Sequence, residues 1–348
     1  MEKSVTRRVT IKQVARHAGV STQTVSRVLN ERPDVAAETR QRVLASIKEL
    51  GYRPSALARS LISQRSHTLG VVTAGLKYIG PSYTLSGITE QAEASGYSLL
   101  LKELPKFNTL HVEPILNSLL SMQVEGIIWA VSEVSNNREW LRDWAPRLPV
   151  PIIFLTTGPY EGVAVVSADN YVGGRMATEH LLDIGRRRIG HVAGPSAWWE
   201  SGQRRQGWRD ALMDVGIVVS DNHVFEGNWS AASGEAATTR LLETYPGMDA
   251  VFAANDQMAL SVLQVAHRRG MRVPDDLAVV GFDGIAEAAY FWPPLTTVWQ
   301  NPQKLGALAV TEIISMIEAV RQSDGKHPTP KTIQLQPQLI VRESTSVT

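Results

Sequence analysis

The chain of 348 residues contains no cysteine, which excludes a disulfide framework and a thiolate metal site. Nowhere do 18 apolar residues run together, so no membrane span is expected. The N-terminus has early charges but no apolar segment of a signal peptide, and the cytoplasm is the expected compartment. Enzyme motifs are equally scarce. No G-x-G occurs, so a dinucleotide fingerprint is excluded. The pairs Gly70/Gly75 and Gly75/Gly80 have the outer spacing of a phosphate loop, but Leu76 and Pro81 stand where its lysine belongs. There is neither an H-E-x-x-H helix nor a G-x-S-x-G elbow. The 8 histidines are scattered without metal-ligand spacing. No catalytic residue, metal or cofactor is assigned. Turnover of a sugar or nucleotide by the pure protein would revive an enzyme reading, such as a kinase on an α/β scaffold.

What the chain does have is an uneven charge distribution. Residues 1–65 hold 13 Lys/Arg against 5 Asp/Glu, and the rest holds 22 against 29. A net charge of +8 at one end and −7 over the body thus hides inside a formal total of +1. A basic end on an acidic body suits a polyanion such as DNA. A length of 348 residues exceeds one ordinary domain, and 43% apolar composition is ample for a large core.

Residues 9–30 read as two short helices joined by a tight turn. Thr10 with Gln13 has the spacing of a capping box. Ile11, Val14 and Ala15 share one face, Gly19 supplies the turn, and Ser21 can cap a second helix from about Thr22 to Leu29. On that helix Val25, Val28 and Leu29 point inward, which leaves Thr22, Gln23, Ser26 and Arg27 outward, side chains suited to base edges in a major groove. An ordinary helical hairpin is the competing reading of these residues taken alone. A third helix, Glu38 to Leu50, closes the bundle with Val43, Leu44, Ile47 and Leu50 inward, and Gly51 stops it.

The body alternates short β-branched runs with helical stretches. Buried parallel strands are expected at Thr68–Thr73, Tyr97–Leu101, Gly126–Trp129, Pro151–Phe154 and Val163–Val166. The pattern restarts at Arg188–Val192, Ala250–Ala253 and Leu277–Phe282. Two α/β sheets in tandem imply two lobes with a cleft at the carboxyl ends of their strands.

The phrases Thr22-Gln-Thr-Val-Ser-Arg-Val-Leu-Asn30 and Gly51-Tyr-Arg-Pro-Ser-Ala-Leu-Ala-Arg-Ser-Leu61 resemble, almost residue for residue, the headpiece and hinge of the lactose repressor/galactose repressor family of bacterial transcription factors. The resemblance implies a helix-turn-helix headpiece at 1–53, a hinge helix and linker at 54–65, and a two-lobed core at 66–348 that shares its fold with periplasmic sugar-binding proteins. It also implies three crossings between lobes, placed near Ser167, Trp299 and Thr329. Lobe 1 then spans about 66–167 and 300–329, and lobe 2 about 168–299 and 330–342. DNA contacts are implied for Thr10, Ser21, Thr22, Gln23, Thr24, Ser26, Arg27, Asn30, Ser55, Ala58 and Leu61. Ser55 to Leu61 is too short to be helical alone, so the hinge is expected to fold on a palindromic operator, with Leu61 as the wedge in the minor groove.

The body most resembles the lactose repressor, in Glu226–Ala231 and from Ala254 to Gln300. By that resemblance the effector site holds Tyr78, Pro81, Thr156, Arg204, Trp229, Asn255, Asp283 and Gln300. Arg204 and Asn255 can donate, Asp283 accepts, and Trp229 offers a flat apolar face, a set suited to a neutral sugar. Blander readings stay open: Asn255 as a helix cap, Asp283 as a turn residue, Trp229 as core. Thr156 and Pro302 stand where the lactose repressor has Asp and Phe, which leaves the identity of the sugar open. The expected function is a homodimeric regulator, a repressor, controlled by a sugar-type effector. The alternatives are a purine-type corepressor protein, which would want more aromatic sandwiching than Trp229 gives, and a sugar-binding module without regulatory output, which would have no use for residues 9–61.

Overall fold

The computed structural model describes residues 9–29, 32–52, 65–144, 147–323 and 329–346. The chain divides into two compact units, Met1–Ser66 and His67–Thr348. In the first, α1 (Ile11–Ala18), α2 (Thr22–Leu29) and α3 (Ala37–Leu50) follow one another. Gly19 adopts the left-handed conformation at φ 63° and closes α1 by donating to the carbonyls of Ala15 and Arg16. The Thr24 N–H donates to Ser21 Oγ at 3.0 Å, which starts α2. Gln13 Oε1 accepts from the Thr10 N–H at 2.8 Å, one half of the expected capping box, while Thr10 Oγ1 also donates to it at 3.0 Å.

The core of this unit is Val14, Ala15, Ala18, Val25, Val28 and Val43, with Ile47 and Leu50 partly buried against it. Leu44 was expected to point inward and does not: it is half exposed. The helix turns Val43, Ser46, Ile47 and Leu50 to the core, and Ser46 is buried there because its hydroxyl donates to the Arg42 carbonyl.

The second unit is built from two six-stranded sheets. The first sheet comes from β1 (Thr68–Ala74), β2 (Ser98–Leu104), β3 (Gly126–Ala130), β4 (Ile152–Leu155) and β5 (Ala164–Ala168), with α4 (Ile79–Ala94), α5 (Glu113–Ser121) and α6 (Leu141–Trp144) in its connections. The second follows through α7 (Asn170–Asp183), β6 (Ile189–Ala193), α8 (Trp199–Asp214), β7 (Val224–Glu226), α9 (Ala231–Thr244), β8 (Ala250–Ala253), α10 (Asp256–Arg268), β9 (Ala278–Asp283) and β10 (Thr296–Trp299). Then α11 (Pro302–Gln322), β11 (Thr332–Leu335) and β12 (Gln338–Ile340) complete the chain.

The strand orders are β11-β5-β4-β3-β1-β2 and β12-β10-β9-β8-β6-β7, all parallel except β12, which runs antiparallel to β10. Helices cover both faces of each sheet. On the first, Ile88 of α4 with Leu305 and Ile313 of α11 packs on one face, and Leu116 and Leu119 of α5 on the other.

The chain passes between the two sheets three times. The chain leaves the first sheet after Ala168 and returns to it after Trp299, since α11 packs there. The third does not fall near Thr329. Residues Thr332–Leu335 pair with Val165–Ala168 as an edge strand of the first sheet, so the crossing lies between Leu335 and Gln338. Lobe 1 therefore keeps 329–335, and only the chain beyond belongs to lobe 2. The reason is an edge position: side chains there alternate between exposed and half-buried, so the segment carries little apolar signal.

Candidate functional site

The loops at the carboxyl ends of β1, β2 and β3 face those of β6, β7, β8 and β9 across a cleft, where ligands of open parallel sheets bind. Seven of the eight sequence-derived residues line it: Tyr78, Pro81, Arg204, Trp229, Asn255, Asp283 and Gln300. The eighth, Thr156, lines an adjoining recess that shares Pro81, Glu200 and Gln300 with the main cleft.

Arg204 is the hub. It lies one and a half turns into α8, buried to 4% exposure, with its guanidinium 3.8 Å from the centre of the Phe282 ring. Its Nε donates to Asn170 Oδ1 at 2.8 Å and its Nη1 to the Ala254 carbonyl at 2.5 Å. The same Nη1 faces Asp283 Oδ1 at 3.5 Å. These bonds fix the planar fork and leave its Nη2 as the uncommitted donor.

Asp283 ends β9 at φ 108°, a strained conformation for a residue with a side chain. Gln300 Nε2 donates to its Oδ1 at 2.7 Å. Burial pushes its carboxyl up to about 6, against Arg204 and Gln300, which favour the charge. Beneath it Asp256 accepts from Thr297 Oγ1 at 2.6 Å and from the Ile285 N–H at 2.9 Å, tying down the loop after β9. Burial raises that carboxyl to about 7, with the Asp283 charge adding to the effect.

Asn255 lines the cleft and is also tied into the protein. Its Oδ1 caps α10 by accepting from the Met258 N–H at 2.9 Å. Its amide donates to the Trp229 carbonyl at 3.0 Å and to Gln257 Oε1 at 2.8 Å. It is a helix cap that positions Trp229, with its polar atoms committed to the protein. Trp229 itself sits at φ 72°, and its Nε1–H has no partner among the described residues.

Sequence reading missed Glu200, Ser132, Phe107, Trp198 and Gln257, all of which line the cleft. Glu200 precedes Arg204 by one helical turn, and an i, i+4 acid–base pair was the available signal. Burial raises its carboxyl to about 7, opposed by Arg204 and reinforced by Asp283. Phe107 and Ser132 come from loops with no local signature.

In the headpiece, Ser21, Thr22 and Gln23 are exposed, Thr24 and Ser26 are half-buried, and Thr24 Oγ1 is bonded to Ser21 Oγ at 2.9 Å. Arg27 points outward, where it pairs with Asp34 at 3.3 Å. Asn30, Ser55, Ala58 and Leu61 lie outside the described residues.

Residues 10–55 match the signature of "Bacterial regulatory proteins, lacI family", and residues 178–345 that of a "Periplasmic binding protein-like domain". The chain is 34% identical over 341 residues to the HTH-type transcriptional repressor PurR of Mannheimia succiniciproducens, covering 96% of this chain and 98% of the relative. A solved lac repressor dimer bound to operator and the anti-inducer ONPF is similar, at 30% identity and a TM-score of 0.85 over 98% of this chain and 100% of that one. A transcriptional regulator CelR–cellobiose complex shares 32% identity with a TM-score of 0.70, over 97% of this chain and 100% of that one. A helix-turn-helix unit on a two-lobed cleft protein is the architecture of a ligand-responsive regulator. The chain belongs to the LacI family and is a DNA-binding transcriptional regulator. Among the described residues no helix is long and apolar enough to cross a membrane.

Proposed function

We propose that the protein is a homodimeric cytoplasmic repressor whose affinity for a palindromic operator is set by a neutral sugar-type effector in the cleft. The observation that carries this reading is the Asp283 carboxylate, fixed between Arg204 and Gln300 at one wall of a cleft that also exposes Trp229. Its remaining lone pairs accept from sugar hydroxyls, Arg204 Nη2 donates to them, and the indole meets the ring C–H face. Arg204 is the only cation lining the main cleft among the described residues, against Glu200 and Asp283. A phosphosugar dianion would therefore face two carboxylates.

Similarity to PurR and the four rings lining the cleft favour a purine as the second reading. Ring geometry speaks against it. A flat base wants two parallel faces, whereas Trp198 meets Trp229 at 76° and Phe107 meets Trp198 at 59°. For self-association, Tyr290 and Trp292 offer an apolar surface, each nearly 90% exposed, at 88% and 89%.

A thermal-shift screen of neutral sugars, phosphosugars and purines tests the effector, since a ligand at 100 times its Kd stabilises by about 2.7 kcal/mol. Stabilisation by purines alone would overturn the sugar reading. Operator reading is tested separately by Arg27→Ala. A bidentate base contact contributes roughly 1–3 kcal/mol of discrimination, so the variant should weaken specific binding far more than binding to random DNA. Equal loss on both would make Arg27 a phosphate contact.

A further inference from the structure

The cleft adjoins a second groove through shared side chains. Four rings form a continuous line out of the cleft: Trp229 lies 5.7 Å from Trp198, Trp198 4.6 Å from Phe107, and Phe107 6.0 Å from Tyr78, centre to centre. The last three also wall this second, outer groove, whose other side chains include Lys77, Lys106 and Asn108. Inner chamber and outer groove therefore share an aromatic wall.

The line is built into the fold. Gly194 lies under the Trp229 ring so closely that a Cβ there would come within 2.1 Å of it, and a Cβ on Gly75 would come within 2.3 Å of Phe107. Only glycine lets either ring sit where it does. Trp198 is held by the backbone: the Ser135 N–H donates to the Ala197 carbonyl at 2.8 Å and the Trp199 N–H to the Glu133 carbonyl at 3.1 Å. Rings fixed in this way need no ordering when a ligand arrives, which lowers the entropic cost of binding.

We propose that the effector is an oligosaccharide of two or more rings. One ring seats against Trp229 and Asp283, and the next lies along Trp198 and Phe107 toward the outer groove. There Lys77, Lys106 and Asn108 supply donors for its hydroxyls. Successive pyranose rings present alternating C–H faces and hydroxyl edges, which is the chemistry of an aromatic wall rimmed with donors. This inference rests on the sugar reading of the inner chamber and adds ring number to it.

Calorimetric titration of the full chain with matched series tests it: glucose, cellobiose and cellotriose; galactose and lactose; xylose, xylobiose and xylotriose; with guanine and hypoxanthine alongside. In the series that binds, the disaccharide should bind at least tenfold more tightly than its monosaccharide. Lys106→Ala, at a residue that lines the outer groove and not the inner chamber, should cut disaccharide affinity about threefold to tenfold and leave monosaccharide affinity within about twofold. A role in packing alone would lower both equally. Monosaccharides that bind as tightly as their disaccharides would overturn the inference and leave the sugar reading intact. Binding of a purine alone, or of no saccharide, would overturn both.

Discussion

The two lobes share a topology and bring unequal chemistry to the cleft. From the carboxyl ends of its strands lobe 1 contributes Tyr78, Pro81, Phe107 and Ser132, none of them charged. Lobe 2 contributes Arg204, Glu200, Asp283 and Trp229 from the equivalent ends. Lobe 1 has charges nearby, but they are used internally. Glu133 accepts from Thr157 Oγ1, the Gly158 N–H and the Tyr160 hydroxyl at 2.5, 3.2 and 2.7 Å. Arg138 is buried behind it, its Nη2 donating to the Val131 carbonyl, and burial lowers its pKa to about 10. The parallel sheet decides where a ligand sits, while side chains decide which lobe holds it. On the proposed reading, lobe 2 supplies the charged contacts to the effector and lobe 1 an uncharged wall.

The severest way to break that comparison is to remove the hub of lobe 2. Arg204→Ala would strand Glu200, Asp283 and Asp256 without their nearest cation and leave the Ala254 carbonyl and Asn170 Oδ1 short of a donor. Deleting one partner of a buried charge cluster costs roughly 3–5 kcal/mol. Thermal unfolding should show that loss, together with loss of effector binding. A variant as stable as the parent would mean that lobe 2 is not organised around Arg204.

Asp283→Asn is a gentler cut, since it keeps shape and removes charge. Charge-assisted hydrogen bonds contribute about 1.5–3 kcal/mol, so effector affinity should fall tenfold to a hundredfold. The folded variant should still bind operator and no longer respond to effector. A normal response would reduce Asp283 to a turn residue.

Titration sharpens the same point with no mutation. The Asp283 carboxyl is raised to about 6, so effector affinity should hold steady above pH 7 and drop roughly tenfold by pH 5, where the group is protonated. The ligand-free protein responds in the opposite sense. Carboxyls raised in the folded state bind protons there before the unfolded chain does, so Asp283, Glu200 and Asp256 favour folding as pH falls from 7 toward 4. His191 opposes this: burial lowers it to about 3, so its contribution is present above its ordinary 6.5 and is lost below. Titration of affinity and of stability on one sample separates the two, and an affinity flat from pH 7 to 5 would count against an ionised Asp283 in the site.

Much of this arrangement was legible in the sequence. The eight apolar runs expected as buried strands all form strands, and seven are central and buried, as continuous apolar runs are; β2 instead lies at a sheet edge and is exposed or half-buried along most of its length. What escaped were short segments at or near a sheet margin, β7, β10, β11 and β12, with only three or four residues each. Misplacement of the third crossing follows from β11. In the cleft, resemblance brought together Arg204, Trp229, Asn255 and Asp283, all of which line it, while the cap that Asn255 makes on α10 was legible from its place before the helix. Phe107 and Ser132 were unreadable because their roles come from loop placement across the lobes, and no local spacing encodes that.

The smallest effect is expected from the wall of lobe 1. Tyr78 is half-buried at the mouth of the cleft, its ring 5.2 Å from Lys77 Nζ and tilted 46° against Phe107. It precedes α4 without capping it by a side-chain hydrogen bond. Removing it should therefore leave the helix and the fold intact. An aromatic contact of this kind contributes about 0.5–1.5 kcal/mol. Tyr78→Ala should thus weaken effector binding about twofold to tenfold, with little change in thermal unfolding and none in operator affinity without effector. A loss as large as that of Asp283→Asn would show that lobe 1 grips the ligand as firmly as lobe 2, and the unequal division between the lobes would have to be abandoned.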